Sequence, residues 1–382
     1  MKIAHLADLH LGYRAYHRST SRGVNQREAD VAEAFRRAVA QVAELRPDLV
    51  LIAGDVFHAV RPGNTSIAEA FRQLSVLTER LPGVPVVTIA GNHDSPRSVD
   101  TGNILCLFRE IENVHVVFEE CSPVKLRDLD TTVLCMPHVS LSAAHQTAMD
   151  PDPRAKHNIL LLHGEITDSN GEPRYRSEFG GAQVPETAVR ADRWTYVALG
   201  HHHEAVSLSR NQWYAGAIER TSAFIWQEKA PKGFLVYDTE TERTAFHEVE
   251  TRALVDLPWI EAKGLSAAEV DERIRTAVES LEGGIDGKMV RQVVADVPRA
   301  IVRELNHRRV REWKAEALHF HLDPRPPQIR RRVAAGAPTR RLTLKEQVES
   351  FLGRWEPTRE QIDGPELVRM GADYVERAGE AA

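Results

Sequence analysis

Five apolar runs of the chain each end in side chains that can bind a metal ion. In chain order these side chains are Asp8 and His10, Asp55, Asn92, His163, and the run from His201 to His203. Carboxylate, amide and imidazole groups without thiolates suit Mn²⁺, Fe²⁺ or Zn²⁺. Two such ions about 3.5–4 Å apart can stabilise both the attacking and the leaving oxygen of an in-line phosphoryl displacement. The residue types therefore indicate the cleavage of a phosphate ester.

The apolar runs also predict the elements that hold these side chains. They are typical of buried strands, and they include "LVLIAGD", "VPVVTIAGNHD", "HNILLLHG" and "YVALGHHH". Residues 27–46 and 66–81 have apolar side chains at helical spacing. Strand, helix and strand in succession predict an α/β layer architecture, and hairpin-like strands from about residue 205 could complete a second sheet. Since ligands gather outside the carboxyl ends of strands in such folds, we expect five consecutive strands to build one site.

The composition excludes several other classes of protein. Hydrophobic residues make up 42% of the 382 residues, enough for a substantial core. No stretch approaches the 18 apolar residues of a membrane helix, and the N-terminus has no features of a secretion signal. Cys106, Cys121 and Cys135 show no C-x-x-C spacing, which indicates buried thiols in a reducing cytoplasm rather than a disulfide framework.

The strand-end motifs resemble those of the calcineurin-like metallophosphoesterases: D-x-H, G-D, G-N-H-D, a late histidine and G-H-x-H. Any one of these motifs is a weak signal, but the five in this order are specific. Further stretches resemble the SbcD-type DNA repair exonucleases, the nuclease subunits of complexes that process double-strand breaks. They are "GDVFH" followed by "RPGN", "AIERTS" before "KGFLVYD", and "REWKAEALHFHLDPRPP". The resemblance runs from Met1 to about residue 325, and a closing pair of helices also fits it.

The resemblance implies an α/β fold, namely a four-layer metallophosphoesterase sandwich. Two mixed β-sheets would be flanked by helices, with a smaller α/β capping domain and a C-terminal helical pair. The implied domains are a nuclease domain at 1–254, a capping and DNA-binding domain at 255–323, a linker at 324–342 and a partner-binding helical region at 343–378. Within the capping domain, residues 266–282 have a helical pattern, and the Pro-, Gly- and Arg-rich 323–341 is typical of an extended linker.

The resemblance also implies a ligand set for two Mn²⁺ ions, with Mg²⁺, Fe²⁺ or Zn²⁺ as alternatives. One metal would be held by Asp8, His10, Asp55 and His203, and the other by Asp55, Asn92, His163 and His201. Side chains alternate along a strand, so His201 and His203 should face the metals and His202 should not. His202 departs from the apolar residue that the family more often has there.

Three further residues take catalytic roles in this comparison. A hydroxide bridging the metals would attack phosphorus, and His93 would give a proton to the leaving 3′-oxygen. Asp94 could orient His93, and His58 fits a contact to the phosphate. Ala217 and Ile218 depart from a frequent Gly-Ser pattern of the family, which leaves the contacts of that loop open.

Charge and motif content predict the partners. Residues 299–345 contain 13 Lys and Arg against 4 Asp and Glu, whereas 346–382 contain 4 against 9. We expect DNA to bind the basic stretch through phosphate contacts, with the candidates Arg299, Arg303, Arg308, Arg309 and Arg311. The chain has no G-x-x-x-x-G-K-[ST] motif, so an ATP-driven step would need another protein.

By resemblance that protein is an SbcC-type coiled-coil ATPase docking on residues 343–378. The protein would be a homodimer, through the helices at 66–81 and 101–111, whose apolar faces could equally be core. It would be cytoplasmic and associated with the nucleoid.

The predicted function is therefore a Mn²⁺-dependent exonuclease on DNA ends with single-strand endonuclease activity. Two alternatives use the same motifs. A small-molecule phosphodiesterase would share the metal site but would not need the basic and terminal segments. A non-enzymatic scaffold would not need the complete ligand set.

Overall fold

The computed structural model describes residues 1–96, 102–141, 149–175, 180–223, 225–327, 343–353 and 363–380, with side chains as far as residue 376. The contacts divide the chain into two units, Met1–Pro326 and Pro327–Ala382. Most of the predicted linker (328–342) lies outside the described residues, and so does 354–362 between the terminal helices.

Short strands and helices alternate from residue 2 to residue 117, and several strands follow one another later in the chain. The strands are β1 (Lys2–Leu6), β2 (Leu49–Ile52), β3 (Val86–Ile89), β4 (Val114–Val117), β5 (Ser122–Leu126), β6 (Thr131–Met136), β7 (His157–His163), β8 (Glu165–Thr167), β9 (Gln183–Pro185), β10 (Tyr196–Gly200), β11 (Val206–Ser209), β12 (Gln212–Tyr214), β13 (Gly233–Asp238), β14 (Arg243–Glu248), β15 (Leu254–Asp256), β16 (Ile260–Glu261), β17 (Met289–Ala295) and β18 (His319–Pro324). The helices are α1 (Gln26–Leu45), α2 (Asn64–Arg80), α3 (His138–Leu141), α4 (Glu186–Val189), α5 (Ala267–Glu279), α6 (Arg299–Glu304), α7 (His307–Glu316), α8 (Leu344–Leu352) and α9 (Gly364–Glu380).

The first sheet has the order β14-β13-β1-β2-β3-β4. Strands β1 to β4 run parallel, and β13 and β14 add antiparallel strands at one side. All four residues of β2 are buried, as expected for a parallel strand covered on both faces. Helices α1 and α2 cover the outer face with side chains such as Val31, Phe35 and Leu74. The predicted helices at 27–46 and 66–81 are thereby confirmed.

The second sheet has the order β11-β12-β10-β7-β6-β5 and is mixed as well. Its inner face packs on the first sheet, where Leu51 and Ile89 share a buried apolar cluster with Val133 and Leu161. Its outer face carries another apolar cluster that includes Val189 of α4. Helices, two mixed sheets and an outer layer give the predicted sandwich, and this fold class is confirmed.

Two expectations about strand order were wrong. The strands that carry the predicted ligands are not consecutive, because β4, β5 and β6 lie between the third and the fourth of them. The strands after residue 205 do not all join one sheet either. Strands β11 and β12 extend the second sheet, whereas β13 and β14 extend the first. The polar ends of strands mark the site, but they do not indicate which sheet each strand enters.

Residues 254–324 form a smaller sheet in which β17 pairs in parallel with β15, β16 and β18. Helices α5 and α7 cover it through a separate apolar cluster that includes Ile274, Val290 and Trp313. The helical pattern at 266–282 corresponds to α5, and the basic stretch forms α6 and α7. The segment contacts the first 250 residues, for example where the Arg18 guanidinium donates to the carbonyl of Ala317 at 3.2 Å.

The second unit contains α8 and α9, which pack on each other. Lys345 forms an ion pair with Glu376 at 2.6 Å, and a side chain at Gly371 would collide with Leu352 and Val348. The side chains of Leu344, Phe351, Met370 and Tyr374 are more than 60% exposed. None of the described helices is both long and apolar enough to cross a membrane.

The prediction of buried thiols holds for one of the three cysteines. Cys135 is buried between the sheets, Cys121 is partly buried and Cys106 is exposed. Cys106 belongs to a 3₁₀ helix, Ile104–Glu110, which replaces the helix expected at 101–111. Residue 101 itself lies outside the described residues.

Candidate metal centre

The predicted ligands meet where the two sheets end side by side. Strands β1 and β2 are parallel neighbours in the first sheet, so Asp8 and Asp55 follow them at the same edge. Strands β7 and β10 are parallel neighbours in the second sheet, where His163 pairs with Gly200. The site therefore takes residues from the carboxyl ends of strands in both sheets, the usual place for a ligand site in an α/β fold.

The loops after β1 and β2 have an unusual backbone conformation. Asp8, His10 and Asp55 have φ angles of 51°, 47° and 50°, in the left-handed region that few non-glycine residues adopt. Hydrogen bonds between the two loops hold this conformation. The Asp8 N–H donates to the carbonyl of Gly54 at 3.1 Å, and the His10 N–H donates to that of Asp55 at 2.9 Å. Such strain is kept where the surrounding structure requires it, typically at functional sites.

Two glycines let the chain approach the ligands closely. A Cβ atom at Gly91 would overlap the carboxylate of Asp55, and one at Gly200 would overlap the carbonyl of Ala53 and press on the His163 ring. Since any side chain would fill this space, substitution of either glycine should displace Asp55 or His163.

Asp8, His10 and His203 form the first group of candidate ligands. One candidate ligand atom from each lies within 4.8 Å of the others, and all three residues are buried. The Nε2 atoms of His10 and His203 are 3.0 Å apart. The Asp8 carboxylate also accepts the backbone N–H of His201 at 3.0 Å, which ties the end of β10 to the end of β1.

Asp55, His163 and His201 form the second group, also within 4.8 Å and buried. The Oδ1 atom of Asn92 lies 2.9 Å from His163 Nε2 and 3.0 Å from His201 Nδ1, so it belongs to the same cluster. Asp55 stands between the two groups. Its Oδ2 atom is 3.3 Å from His163 Nε2 and 3.8 Å from His10 Nε2.

The electrostatics of the cluster suit cations. Burial lowers the pKa of His10 well below its usual value and that of His201 to about 3, so both imidazoles keep free lone pairs at pH 7. Burial raises the pKa of Asp8 to about 6. Burial also opposes ionisation of Asp55, but His163 and His10 outweigh it and lower the Asp55 pKa. Asp55 in turn outweighs burial and raises the pKa of His163 to about 9, so a cation bound there would take the place of the His163 proton. Two buried carboxylates with imidazole and amide groups are a donor set that fits divalent cations.

His93 and His58 lie beside His10. The three rings are within 5.3 Å of one another, centroid to centroid. The ring Nδ1 of His93 lies 2.8 Å from the His58 carbonyl, to which it can only donate. The backbone N–H of His93 donates to Asp55 Oδ1 at 2.8 Å. Burial and the neighbouring His93 lower the pKa of His58 to about 4. His10, His58 and His93 also have candidate ligand atoms within 4.8 Å of one another, so these two histidines form a third possible group with His10.

Asp94 binds the backbone of two neighbouring loops. Its carboxylate is fully buried and accepts the backbone N–H groups of Val56, Phe57 and Gly91 at 2.8–3.0 Å. It therefore joins the loop after β2 to the loop after β3. The His93 ring contacts the His58 carbonyl at 2.8 Å, and the role of Asp94 in orienting His93 stays a prediction.

His202 stands apart from its two neighbours. Its ring stacks on Tyr175 at 5.2 Å between centroids and meets Tyr214 edge-on at 5.5 Å. The different orientation of His202 was explained from the sequence by the alternation of side chains along a strand. This explanation was wrong, because β10 ends at Gly200 and His201 has a φ angle of 99°. A turn, rather than the pleat of a strand, separates the three histidines.

The structure adds three residues that the motifs did not indicate. Glu228 Oε1 is 3.9 Å from His203 Nδ1, and Glu165 Oε1 is 4.0 Å from His201 Nε2. The His138 ring lies 6.4 Å from that of His163. Glu165 is two residues from a ligand and His138 follows the end of β6, so a search for polar strand ends could have found both. Nothing in the local sequence connects Glu228 with His203.

The five arginines proposed for DNA lie on α6 and α7. Arg308 and Arg309 are near carboxylates of Glu312 and Glu279, at 3.6 and 3.4 Å. Arg299, Arg303 and Arg311 are exposed. The basic stretch therefore offers guanidinium groups to solvent.

Known proteins resemble this chain in sequence. Residues 1–205, more than half of the chain, match the family of the calcineurin-like phosphoesterases. A DNA double-strand break repair protein Mre11 from Methanococcus maripaludis is 36% identical over 251 residues, 62% of this chain and 63% of that protein. Proteins of the same name from Methanocaldococcus jannaschii and Archaeoglobus fulgidus are 26% and 28% identical, over 62% and 67% of this chain. The match spans 62% and 61% of those two proteins, so it covers less than two thirds of each of these relatives.

Proposed function

The chain belongs to the calcineurin-like phosphoesterase family, and from this premise we propose that it is a metal-dependent DNA nuclease of double-strand-break repair. The single observation that carries the proposal is the complete ligand set, which both sheets deliver to one edge. The Mre11 relatives, one of which matches 67% of the chain, favour DNA as the substrate. We further propose exonuclease activity on DNA ends and endonuclease activity on single strands.

We assign the metal ligands as the residue groups suggest. Asp8, His10 and His203 would hold one cation and Asn92, His163 and His201 the other, with Asp55 shared between them. We propose Mn²⁺ as the cation, because carboxylate, amide and imidazole donors suit it. When bound, two such cations neutralise the charge that develops on a phosphodiester during cleavage and activate water.

The remaining side chains would position the phosphodiester and move a proton. His93 would keep its Nδ1–H on the His58 carbonyl and give a proton from Nε2 to the leaving 3′-oxygen. His58, beside His93 and His10, would contact the phosphate. Asp94 would keep the two loops in register through its three backbone hydrogen bonds.

Cleavage assays separate this proposal from a small-molecule phosphodiesterase. Duplex and single-stranded DNA are compared with bis(p-nitrophenyl) phosphate, each with Mn²⁺ and with a chelator. We expect DNA cleavage that disappears with the chelator and with His93→Ala. Rapid turnover of the small ester without any cleavage of DNA would reject the nuclease and favour the alternative.

We propose that 255–323 is the capping and DNA-binding domain beside a nuclease domain at 1–254. Exposed Arg299, Arg303 and Arg311 would contact phosphates. Residues 343–378, after the linker 324–342, would bind an SbcC-type coiled-coil ATPase. The exposed apolar side chains of Phe351 and Tyr374 support this role, since such side chains on a helix pair are suited to a partner's surface.

We also propose a homodimer in the cytoplasm, at the nucleoid. A groove of about 630 Å³ between α2 and the 3₁₀ helix is lined by Ile67, Phe71 and Leu107, at the place where the sequence predicts the dimer contact. Sedimentation of a Phe71→Glu variant tests this assignment. We expect a monomer, and an unchanged dimer would contradict it.

A further inference from the structure

The ligand histidines each have one ring nitrogen toward the cluster and one toward a group outside it. Nδ1 of His163 lies 2.8 Å from the Ala53 carbonyl, and Nε2 lies near Asn92 and Asp55. Nε2 of His203 lies near His10, and its Nδ1 faces Glu228. Outer groups of this kind set the tautomer and the orientation of a metal-bound imidazole.

The outer group at His203 is a buried ion pair. Glu228 is 7% exposed and Lys232 is 1% exposed, and Lys232 Nζ contacts Glu228 Oε2 at 2.5 Å. Lys232 also donates to the backbone carbonyl of His203 at 2.7 Å. The same pair therefore reaches both the ring and the backbone of this ligand. Buried charges are costly unless they are paired, so their placement against His203 requires an explanation.

The loop that carries Glu228 is held in place from its other side. The Glu228 N–H donates to the carbonyl of Ile225 at 3.1 Å. Ile225 belongs to a small buried cluster with Met289 of β17 and with Leu318, just before β18. The Arg291 guanidinium lies 5.1 Å from the centre of the Trp226 ring. The carboxylate is thus fixed in position by packing against the smaller sheet.

We infer that Glu228 is a positioning residue for His203, which it orients so that Nε2 faces the first metal. The inference rests on the metal assignment proposed above. Nδ1 of His203 lies 3.9 Å from Glu228 Oε1, and in the metal-bound protein the Nδ1–H would donate to this oxygen. Glu228 accepts this hydrogen, and Lys232 balances the carboxylate charge. Glu228 therefore raises the affinity of the first site without touching the phosphodiester.

Calorimetric titration of the metal-free protein with Mn²⁺ tests the inference without any measurement of activity. We expect two sites in the natural protein. In Glu228→Met/Lys232→Met, which replaces the ion pair by apolar side chains of similar size, the first site should bind about 10- to 100-fold more weakly. Glu228→Gln keeps an oxygen that can accept the Nδ1 hydrogen, so its loss should be smaller. The second site should be unchanged in both variants.

Two further measurements separate orientation from general damage to the fold. ¹⁵N NMR of labelled histidines should show His203 as the Nδ1–H tautomer in the natural protein and a mixture of tautomers in the double variant. Glu240→Gln, at a carboxylate that is 84% exposed, is the matched control and should change neither measurement. If the double variant fails to fold, Glu228→Gln decides the question by the same two measurements.

The outcomes distinguish the inference from its premise. If the natural protein binds no Mn²⁺, the metal assignment fails. If it binds two ions and the Glu228 variants bind both within about twofold of the natural affinity, the assignment stands and the role of Glu228 is rejected. A loss at the first site together with the change of tautomer supports the inference.

Discussion

The three adjacent histidines provide the sharpest test of the proposed metal centre. His203→Ala should remove one ligand of the first site, and His201→Ala should remove one ligand of the second. Each variant should therefore bind one Mn²⁺ where the natural protein binds two. His202→Ala should still bind both, because its ring contacts Tyr175 and Tyr214 and lies in neither ligand group.

The expected loss of activity or stability depends on which contacts each variant removes. A metal contributes several kcal/mol to stabilising the charge of the transition state, and each 1.36 kcal/mol corresponds to a tenfold change in rate. His201→Ala and His203→Ala should therefore reduce DNA cleavage by about 10³-fold or more. His202→Ala loses two aromatic contacts, each contributing about 0.5–1.5 kcal/mol to stability. His202→Ala should therefore lower the free energy of unfolding, and the rate of DNA cleavage should change by less than about tenfold.

Calorimetry with Mn²⁺, cleavage of an end-labelled duplex and thermal unfolding are measured on all three variants. His202→Ala is the matched control, since it makes the same change between the two test positions. Loss of a metal in His202→Ala would refute the division of roles. Two tightly bound ions in both His201→Ala and His203→Ala would refute the ligand assignment.

Three other predictions concern stability and DNA. Burial lowers the pKa of His5 to about 3, so below pH 6.5 the unfolded chain binds a proton at His5 that the folded protein does not. The free energy of unfolding of the metal-free protein should therefore be constant above pH 6.5 and fall as the pH drops toward 3, by at most about 1.4 kcal/mol per pH unit from this group. His5→Gln should show a weaker pH dependence in urea titrations. Arg27 is 1% exposed and pairs with Asp30 at 2.9 Å and with Glu219 at 3.3 Å. Arg27→Met should lose about 3–5 kcal/mol in urea unfolding because the buried Glu219 carboxylate loses its ion-pair partner, whereas Asp30 keeps Arg252. An unchanged midpoint would contradict this. The double variant Arg303→Gln/Arg311→Gln should bind DNA more weakly and reduce the slope of log K against log salt by about two, whereas an unchanged slope would show that these residues do not contact phosphates.

The sequence predicts the members of the site better than the connections between them. Asp8, Asp55 and His163 could be found because each lies at or just after the end of a buried strand, and parallel strands bring their carboxyl ends to one edge. The order of strands could not be found in the same way. Strands β4 to β6 carry no ligand, so the pattern of polar strand ends passes over them.

The sequence does not indicate most of the contacts that hold the ligands in place. Asp94 is adjacent to His93 in the chain, and this neighbourhood predicted a contact between the two. In the structure, the Asp94 carboxylate binds three backbone N–H groups from two loops. Backbone donors are present at every residue except proline, so no sequence motif marks those that a carboxylate will bind.

The contact of Glu228 with His203 could not be predicted from the sequence either, because the two residues are far apart in the chain. Strand ends place the ligand atoms, but a metal-bound imidazole also needs a partner for its outer nitrogen. His163 has a backbone carbonyl of the neighbouring sheet in that position, which the packing of the two sheets supplies. His203 lies beyond the end of β10, and there a carboxylate 25 residues later in the chain lies 3.9 Å from its Nδ1. A ligand that lies beyond the sheet therefore depends on a loop for its orientation, and that loop is in turn placed by its packing on the smaller sheet.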